Sequence, residues 1–210
     1  MSTSSPQTPI QIHIPPSLQQ YAIPLTRFTT THPKYAAFGT GAFIFSNSAL
    51  LLVQRAATES SANLWEVPGG GSEPSDPTIL HSAARETFEE TGLRLTRFVR
   101  QIGKGQEFLL GKGELCLKLN FEIEVAEIHA SGNWGGHQHA DGDEGMEPVE
   151  IMLDPEEHQA YAWASEEDVQ KDRYPIVTED QKVLLLESFA LRSTDSERLP
   201  AIIDGTQKRV

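Results

Sequence analysis

The chain carries one short stretch that leaves its backbone little choice, Pro68-Gly69-Gly70-Gly71. Proline ends the strand-like segment Leu64-Trp65-Glu66-Val67, and three successive glycines let the chain turn tightly and come close to a neighbouring backbone or ligand. Beyond Gly71 the chain must begin a new element. The spacing predicts a helix from about Thr78 to Thr91, with Asp76 or Ser75 as its N-cap, Pro77 at the first helical position and Gly92 as its stop. At about 100° per residue, Leu80, Ala83, Ala84, Thr87, Phe88 and Thr91 form the stripe expected to face a core. Free amides and carbonyls in the glycine loop could meet a ligand or a metal. A tight strand-to-helix turn accounts for the glycines equally well.

The predicted helix ends in Arg85-Glu86-Thr87-Phe88-Glu89-Glu90-Thr91-Gly92. On the same projection Glu86, Glu89 and Glu90 occupy about 100° of the face opposite the apolar stripe. Each like-charge pair three or four residues apart costs roughly 0.2–0.5 kcal/mol. The last turn of a helix is also where the macrodipole disfavours anions. A solvated acidic face is one reading of this pattern. A hard divalent cation bound by carboxylate oxygens is the other, and it relieves both penalties together.

Elsewhere the pattern is that of one mixed α/β domain. Residues 1–20 are rich in Ser, Thr, Pro and Gln without a charged residue, and read as a flexible lead-in. Ile10, Ile12 and Ile14 alternate within it and allow a short edge strand before Pro15-Pro16. Strands are predicted at Ile23 to Phe28, Phe38 to Phe45, Ala49 to Gln54, Leu64 to Val67, Leu93 to Ile102, Glu107 to Leu110 and Leu115 to Val125. Val149 to Leu153 and Gln159 to Ala164 read as two more. Ser46-Asn47-Ser48 makes a hairpin turn. A short helix opens at Ser165-Glu166-Glu167-Asp168, and a long one spans Glu179 to Leu191 with Val183, Leu184, Leu186 and Leu191 as its apolar contacts. The domain is thus expected over residues 21–192, with a loose polar tail over 193–210.

Charge and composition exclude several classes. The 210 residues hold 17 Lys and Arg against 30 Asp and Glu, a net charge of −13, which opposes non-specific binding to a nucleic-acid polymer. A single cysteine, Cys116, rules out a disulfide framework and reads as buried packing. No apolar run is long enough to cross a bilayer, and the first residues lack the basic and apolar regions of a signal peptide. A cytoplasmic protein is the expectation. The acidity is local: residues 119–170 contain 14 Asp and Glu and no Lys or Arg. Within that segment His137, His139, Asp141, Asp143 and Glu144 read as a surface loop, since the later ligand positions of a calcium loop are missing.

Taken together, Gly70, Asp76, Arg85, Glu86, Glu89, Glu90, Gly92 and Leu93 resemble the Nudix box, G-x5-E-x7-R-E-U-x-E-E-x-G-U, where U is bulky and apolar. Asn63 to Gly71 and Leu51 to Arg55 are similar to the strand sequences that flank it. Two departures stand at the helix start. Counted from Gly70, Asp76 takes the glutamate position with eight residues before Arg85; counted back from Arg85, Gly71 and Pro77 take the two positions.

The resemblance implies a Nudix fold, a mixed β-sheet sandwiched between helices, that hydrolyses a diphosphate linkage in a small molecule, usually a nucleoside diphosphate joined to another group or a nucleoside triphosphate. It implies Mg²⁺ or Mn²⁺ held by Glu86, Glu89, Glu90 and the Gly70 carbonyl, with Glu89 and Glu90 in the catalytic set and Arg85 orienting them. Downstream, Glu157-His158-Gln159-Ala160-Tyr161-Ala162-Trp163 resembles an E-H-x-x-Y-x-W stretch of nucleotide-hydrolysing members, making Glu157 a candidate metal ligand or base. His158 could cap an element instead, and Tyr161 and Trp163 could be core residues or, with Arg55, substrate contacts. Lys104, Lys112 or Lys118 could meet substrate phosphates. An isoprenoid diphosphate, or a binding module without catalysis, remains the alternative; the assembly is expected to be a monomer or a homodimer.

Overall fold

A computed structural model describes residues 11–111, 113–130 and 149–198. The chain order is α1 (Leu25–Thr31), β1 (Ala37–Ser46), β2 (Ala49–Arg55), β3 (Trp65–Glu66), α2 (Ile79–Thr91), β4 (Leu95–Leu109), β5 (Leu115–Val125), α3 (Ala126–Ala130), β6 (His158–Ala164), α4 (Glu166–Gln170) and α5 (Glu179–Arg198). A 3-10 turn, Pro16–Tyr21, precedes them.

The six strands form one mixed sheet that forks. β1 pairs with β2 only around the hairpin, Phe45 with Leu50 and Ser46 with Ala49. From Ala37 to Ile44 it runs parallel to β5, which is antiparallel to β4. β2 turns away, pairing with β6 along its length and with β3 at its far end. One core, under α2 and α1, includes Ile44, Leu51, Ile79, Leu80, Phe98 and Phe121. A second, under α4 and α5, includes Phe43, Leu50, Leu52, Ile102, Leu185 and Phe189. Helices therefore cover both faces, as predicted.

Several local expectations are corrected. Ile23 to Phe28 is not a strand: Leu25 and Phe28 are both buried, three residues apart on one face of α1. Residues 11–20 are not merely a lead-in. His13 bridges β4 through its backbone, Leu18 is buried, and Ile12 and Ile14 pack on the core. The two strands predicted between Leu93 and Leu110 are one, carried past Gly103 and Gly105 by irregularities in the register. Val149 to Leu153 forms no strand, though Ile151 is buried.

α5 continues through Arg198, beyond the end predicted at Leu191. Its buried residues include Leu185 and Phe189, while Val183 is exposed. Cys116 is buried, as expected. Lys112 and the loop residues His137, His139, Asp141, Asp143 and Glu144 lie outside the described residues.

Candidate active site

The site lies in the fork. Where β1 and β2 part, residues 68–72 fill the gap: Thr40 N–H donates to the Gly70 carbonyl at 2.9 Å, Ala42 N–H to the Pro68 carbonyl and Ser72 N–H to the Phe38 carbonyl, both at 2.8 Å. One of the glycines is a steric necessity, and a second makes room for the Glu86 carboxylate. Gly69 has φ 144°, and a Cβ there would sit 2.2 Å from the Thr40 carbonyl oxygen. A Cβ on Gly70 would lie 2.5 Å from Glu86 Oε2. The Gly70 carbonyl, a predicted ligand, is thus already engaged by the Thr40 amide.

α2 is presented to this loop by Arg85. Thr78, not Asp76 or Ser75, is the N-cap, its hydroxyl accepting the His81 amide. Asp76 instead meets the guanidinium in two bonds, Nε to Oδ1 at 3.0 Å and Nη2 to Oδ2 at 2.9 Å. Burial would raise the Asp76 carboxyl, but Arg85 and the Glu73 amide outweigh it and hold it down at about 2. Arg85 also donates to Glu86 at 2.9 Å, to Glu89 at 2.8 Å and to the Gly71 carbonyl at 2.8 Å. Its own pKa is raised, foremost by Asp76. Of the two box registers, this geometry matches Gly70 with Asp76, since Pro77 has no carboxylate to offer the guanidinium.

Two of the three glutamates do not lie on a solvated face, contrary to the projection. Leu80, Ala83, Thr87 and Thr91 of the expected stripe are buried, but so are Glu86 and Glu90, whereas Phe88 is 51% exposed. The side chain of Glu89 is more than half exposed. Glu90 accepts the Gly69 amide at 2.7 Å. Burial, followed by the charges of Glu66 and Glu86, outweighs that bond and raises Glu90 to about 8. Burial also raises Glu86, with Glu89 and Glu157 adding to it against Arg85.

From the other arm of the fork comes the end of β6. A tight turn, in which His158 N–H donates to the Asp154 carbonyl at 2.8 Å, brings Glu157 and His158 toward α2. Ligand atoms of Glu90, Glu157 and His158 all lie within 4.8 Å of one another. His158 is buried and its Nδ1 has no hydrogen-bond partner. The buried carboxylates of Glu86 and Glu90, both with raised pKa values, fit a divalent cation, which would offset the charge that burial penalises.

The predicted substrate contacts separate. Arg55 is engaged within the protein, by Glu66, by Glu59 at 3.0 Å and by the Ser60 carbonyl. Tyr161 is 42% exposed, whereas Trp163 packs against the core beneath α2. The sequence reading missed Glu66, a buried carboxylate 3.8 Å from Lys118 Nζ. It also left Asp76 without its partner. Glu66 stands two residues before Pro68 in an apolar strand, and a lone carboxylate in that position was the available signal.

An α/β/α sandwich whose carboxylates meet a glycine loop at a fork in the sheet is the frame of a hydrolase. The family model of the NUDIX domain matches residues 37–186, and the chain belongs to the Nudix hydrolase family, whose members act on nucleoside diphosphate derivatives. Solved structures agree on the fold. A MutT Nudix hydrolase from Burkholderia pseudomallei is 20% identical with a TM-score of 0.51, covering 72% of this chain and 96% of that one. An Ap4A hydrolase from C. elegans, in a binary complex, is 19% identical with a TM-score of 0.54, covering 76% and 99%. The Nudix domain of Shewanella oneidensis NrtR, complexed with ADP ribose, is 17% identical with a TM-score of 0.51, covering 74% and 87%. No curated protein sequence matches the chain. Among the described residues, no helix is long and apolar enough to cross a membrane.

Proposed function

We propose that the protein is a pyrophosphohydrolase dependent on Mg²⁺ or Mn²⁺, cleaving a diphosphate linkage in a nucleoside diphosphate joined to another group, or in a nucleoside triphosphate, by attack of water. The observation that carries this reading is the meeting of Glu90 with Glu157 and His158 beside the glycine loop, on a helix whose Glu86 and Glu89 are held by Arg85. The neighbours bound to ADP ribose, or named for Ap4A, support a nucleotide-type substrate.

A divalent cation bound here would neutralise phosphate charge, polarise the phosphoryl group and lower the pKa of water. The chain supplies the rest. Glu86, Glu89 and Glu90 provide the oxygens, two of them pre-buried so that no water needs to be expelled from around them. Arg85 binds no substrate in this reading; its bonds to Asp76, Glu86, Glu89 and Gly71 fix the helix against the loop. Glu157, exposed at the rim, either completes the ligand set or takes the proton of the attacking water. Tyr161 offers an exposed ring for a base to stack on. The acidic surroundings admit a polyanion only together with a cation.

The test is a product-resolved panel of nucleotide sugars, ADP-ribose, dinucleoside polyphosphates, nucleoside triphosphates and prenyl diphosphates, run with each metal in ¹⁸O-labelled water. Turnover that needs the metal and places the label on one phosphorus is expected. No cleavage of any panel member would leave a binding module as the better description.

A further inference from the structure

The metal-dependent reading places His158 beside the carboxylates but gives its ring no role of its own. His158 begins β6, opposite Arg55 in the strand register, and is 3% exposed. Its Nδ1 finds no hydrogen-bond partner, and a ring nitrogen lies within 4.8 Å of carboxylate oxygens of both Glu90 and Glu157. An imidazole kept only for packing or capping would have its buried nitrogen paired, because an unmade buried hydrogen bond is costly. The backbone here is taut: Ala56 N–H donates to the Glu157 carbonyl and His158 N–H to that of Asp154, both at 2.8 Å. The backbone that carries the ring is therefore fixed by the end of β2 and by the turn.

We propose that His158 is a nitrogen donor to the cation held by Glu90 and Glu157, giving a mixed nitrogen–oxygen site that favours Mn²⁺ over Mg²⁺. This rests on the metal-dependent reading and adds a ligand to it that the box glutamates do not contain. The chemistry follows from donor type. Mg²⁺ takes oxygen donors in a strict octahedron and gives up its waters reluctantly. Imidazole adds affinity for transition-metal ions and little for Mg²⁺.

The probe is Mn²⁺ alone, added below one equivalent to the full chain and read by electron spin-echo envelope modulation. The expected result is the modulation of a coordinated imidazole ¹⁴N, lost in His158→Asn. Calorimetric titration should show Mn²⁺ bound about tenfold or more tightly than Mg²⁺, a preference that shrinks about fivefold in the variant while Mg²⁺ affinity stays within about twofold. The wild-type spectrum does not depend on any variant folding. No nitrogen modulation, or modulation that survives in His158→Asn, overturns the proposal. Turnover of the substrate panel with Mg²⁺ tests the hydrolase reading separately, so an oxygen-only Mn²⁺ signal in an active enzyme removes this inference and leaves that reading standing.

Discussion

Two regions of the molecule bury a glutamate, and they treat it in opposite ways. Glu122, 2% exposed on β5, receives two guanidinium groups, Arg100 from β4 at 2.8 Å and Arg192 from α5 at 2.7 Å. Arg100 also pairs with Asp195, and Arg192 lies over the Phe45 ring, 4.3 Å from its centroid. Glu90, 4% exposed on α2, has the Gly69 amide and, among the described residues, no Lys or Arg within ion-pair distance. One carboxylate is neutralised by the protein itself and fastens α5 to the sheet. The other is buried and left short of positive charge: Arg85 on the same helix is engaged by Asp76, Glu86 and Glu89, and Lys118 acts on it only from beyond ion-pair distance. Burying an uncompensated charge is strongly unfavourable, so a fold that does so needs a proton or a cation at that place. On the proposed reading, that contrast separates a structural carboxylate from a functional one.

The largest expected effect falls on the functional side. Glu90→Gln keeps the shape and removes the charge, and should lower kcat/KM about a thousandfold, near 4 kcal/mol of transition-state stabilisation. Stability should move the other way. The folded-state pKa of Glu90 is raised from 4.5 to about 8. The folded, metal-free protein therefore holds a proton that the unfolded chain has lost, and stability falls as pH rises from 4.5 through about 8. The variant should lack that decline in urea titrations across the window. Added Mn²⁺ should stabilise wild type more at high pH, since it competes with the proton. A fully active Glu90→Gln enzyme would erase the distinction between the two glutamates.

On the structural side, Glu122→Gln leaves two guanidinium groups facing a neutral amide. It should cost about 3 kcal/mol of stability, read from the urea midpoint. The kcat/KM per folded molecule should change by less than about threefold, and added metal should restore none of the lost stability. If catalysis collapsed while the fold held, Glu122 would belong to the site and the comparison would fail.

Asp76 stands between the two cases, a buried carboxylate with its own arginine, but at the edge of the site. Its pKa is depressed from 3.8 to about 2. The stability it contributes is present above 3.8 and is lost as pH falls through about 2. Asp76→Asn should cost about 2 kcal/mol at neutral pH and close to nothing at pH 2. Activity should fall less than for Glu90→Gln, because the Arg85 bonds to Glu86 and Glu89 remain. A pH-independent cost would show that Arg85 is held by something other than this pair.

How much of this the sequence discloses depends on the reach of the interaction. The helix stop at Gly92, the hairpin at Asn47, the helix start at Ser165 and most strands are set within a few residues, and they read correctly. The box named the helix glutamates for the same reason. What failed was decided at a distance. Ile23 to Phe28 alternates weakly, but Pro24 and the core contacts of Leu25 and Phe28 make it helical. α5 extends past Leu191 through a segment whose Asp195 meets Arg100, a partner 95 residues away that no local pattern contains. His158 stood open in the sequence between a site role and a cap, because its environment is assembled by two elements, α2 and the turn before β6.

The smallest predicted effect tests how α2 is turned. A helix read by its stripe puts Phe88 in the core and the glutamates in water, whereas here Phe88 is 51% exposed and Glu90 is buried. The exchange of Phe88 for Glu90 follows from the fork. The opening between β1 and β2 holds no strand, and the surface that α2 turns toward it meets backbone amides and a glycine loop rather than apolar side chains. Glutamates fit such a surface if a cation joins them, and a phenylalanine does not. Phe88→Ser should therefore change stability by no more than about 0.5 kcal/mol, where truncating a core phenylalanine costs about 3–5. A loss of 2 kcal/mol or more in a urea titration would mean that α2 is rotated toward the stripe. Glu90 would then face water beside Glu89, and its contrast with Glu122 would vanish together with the reason to expect a cation there.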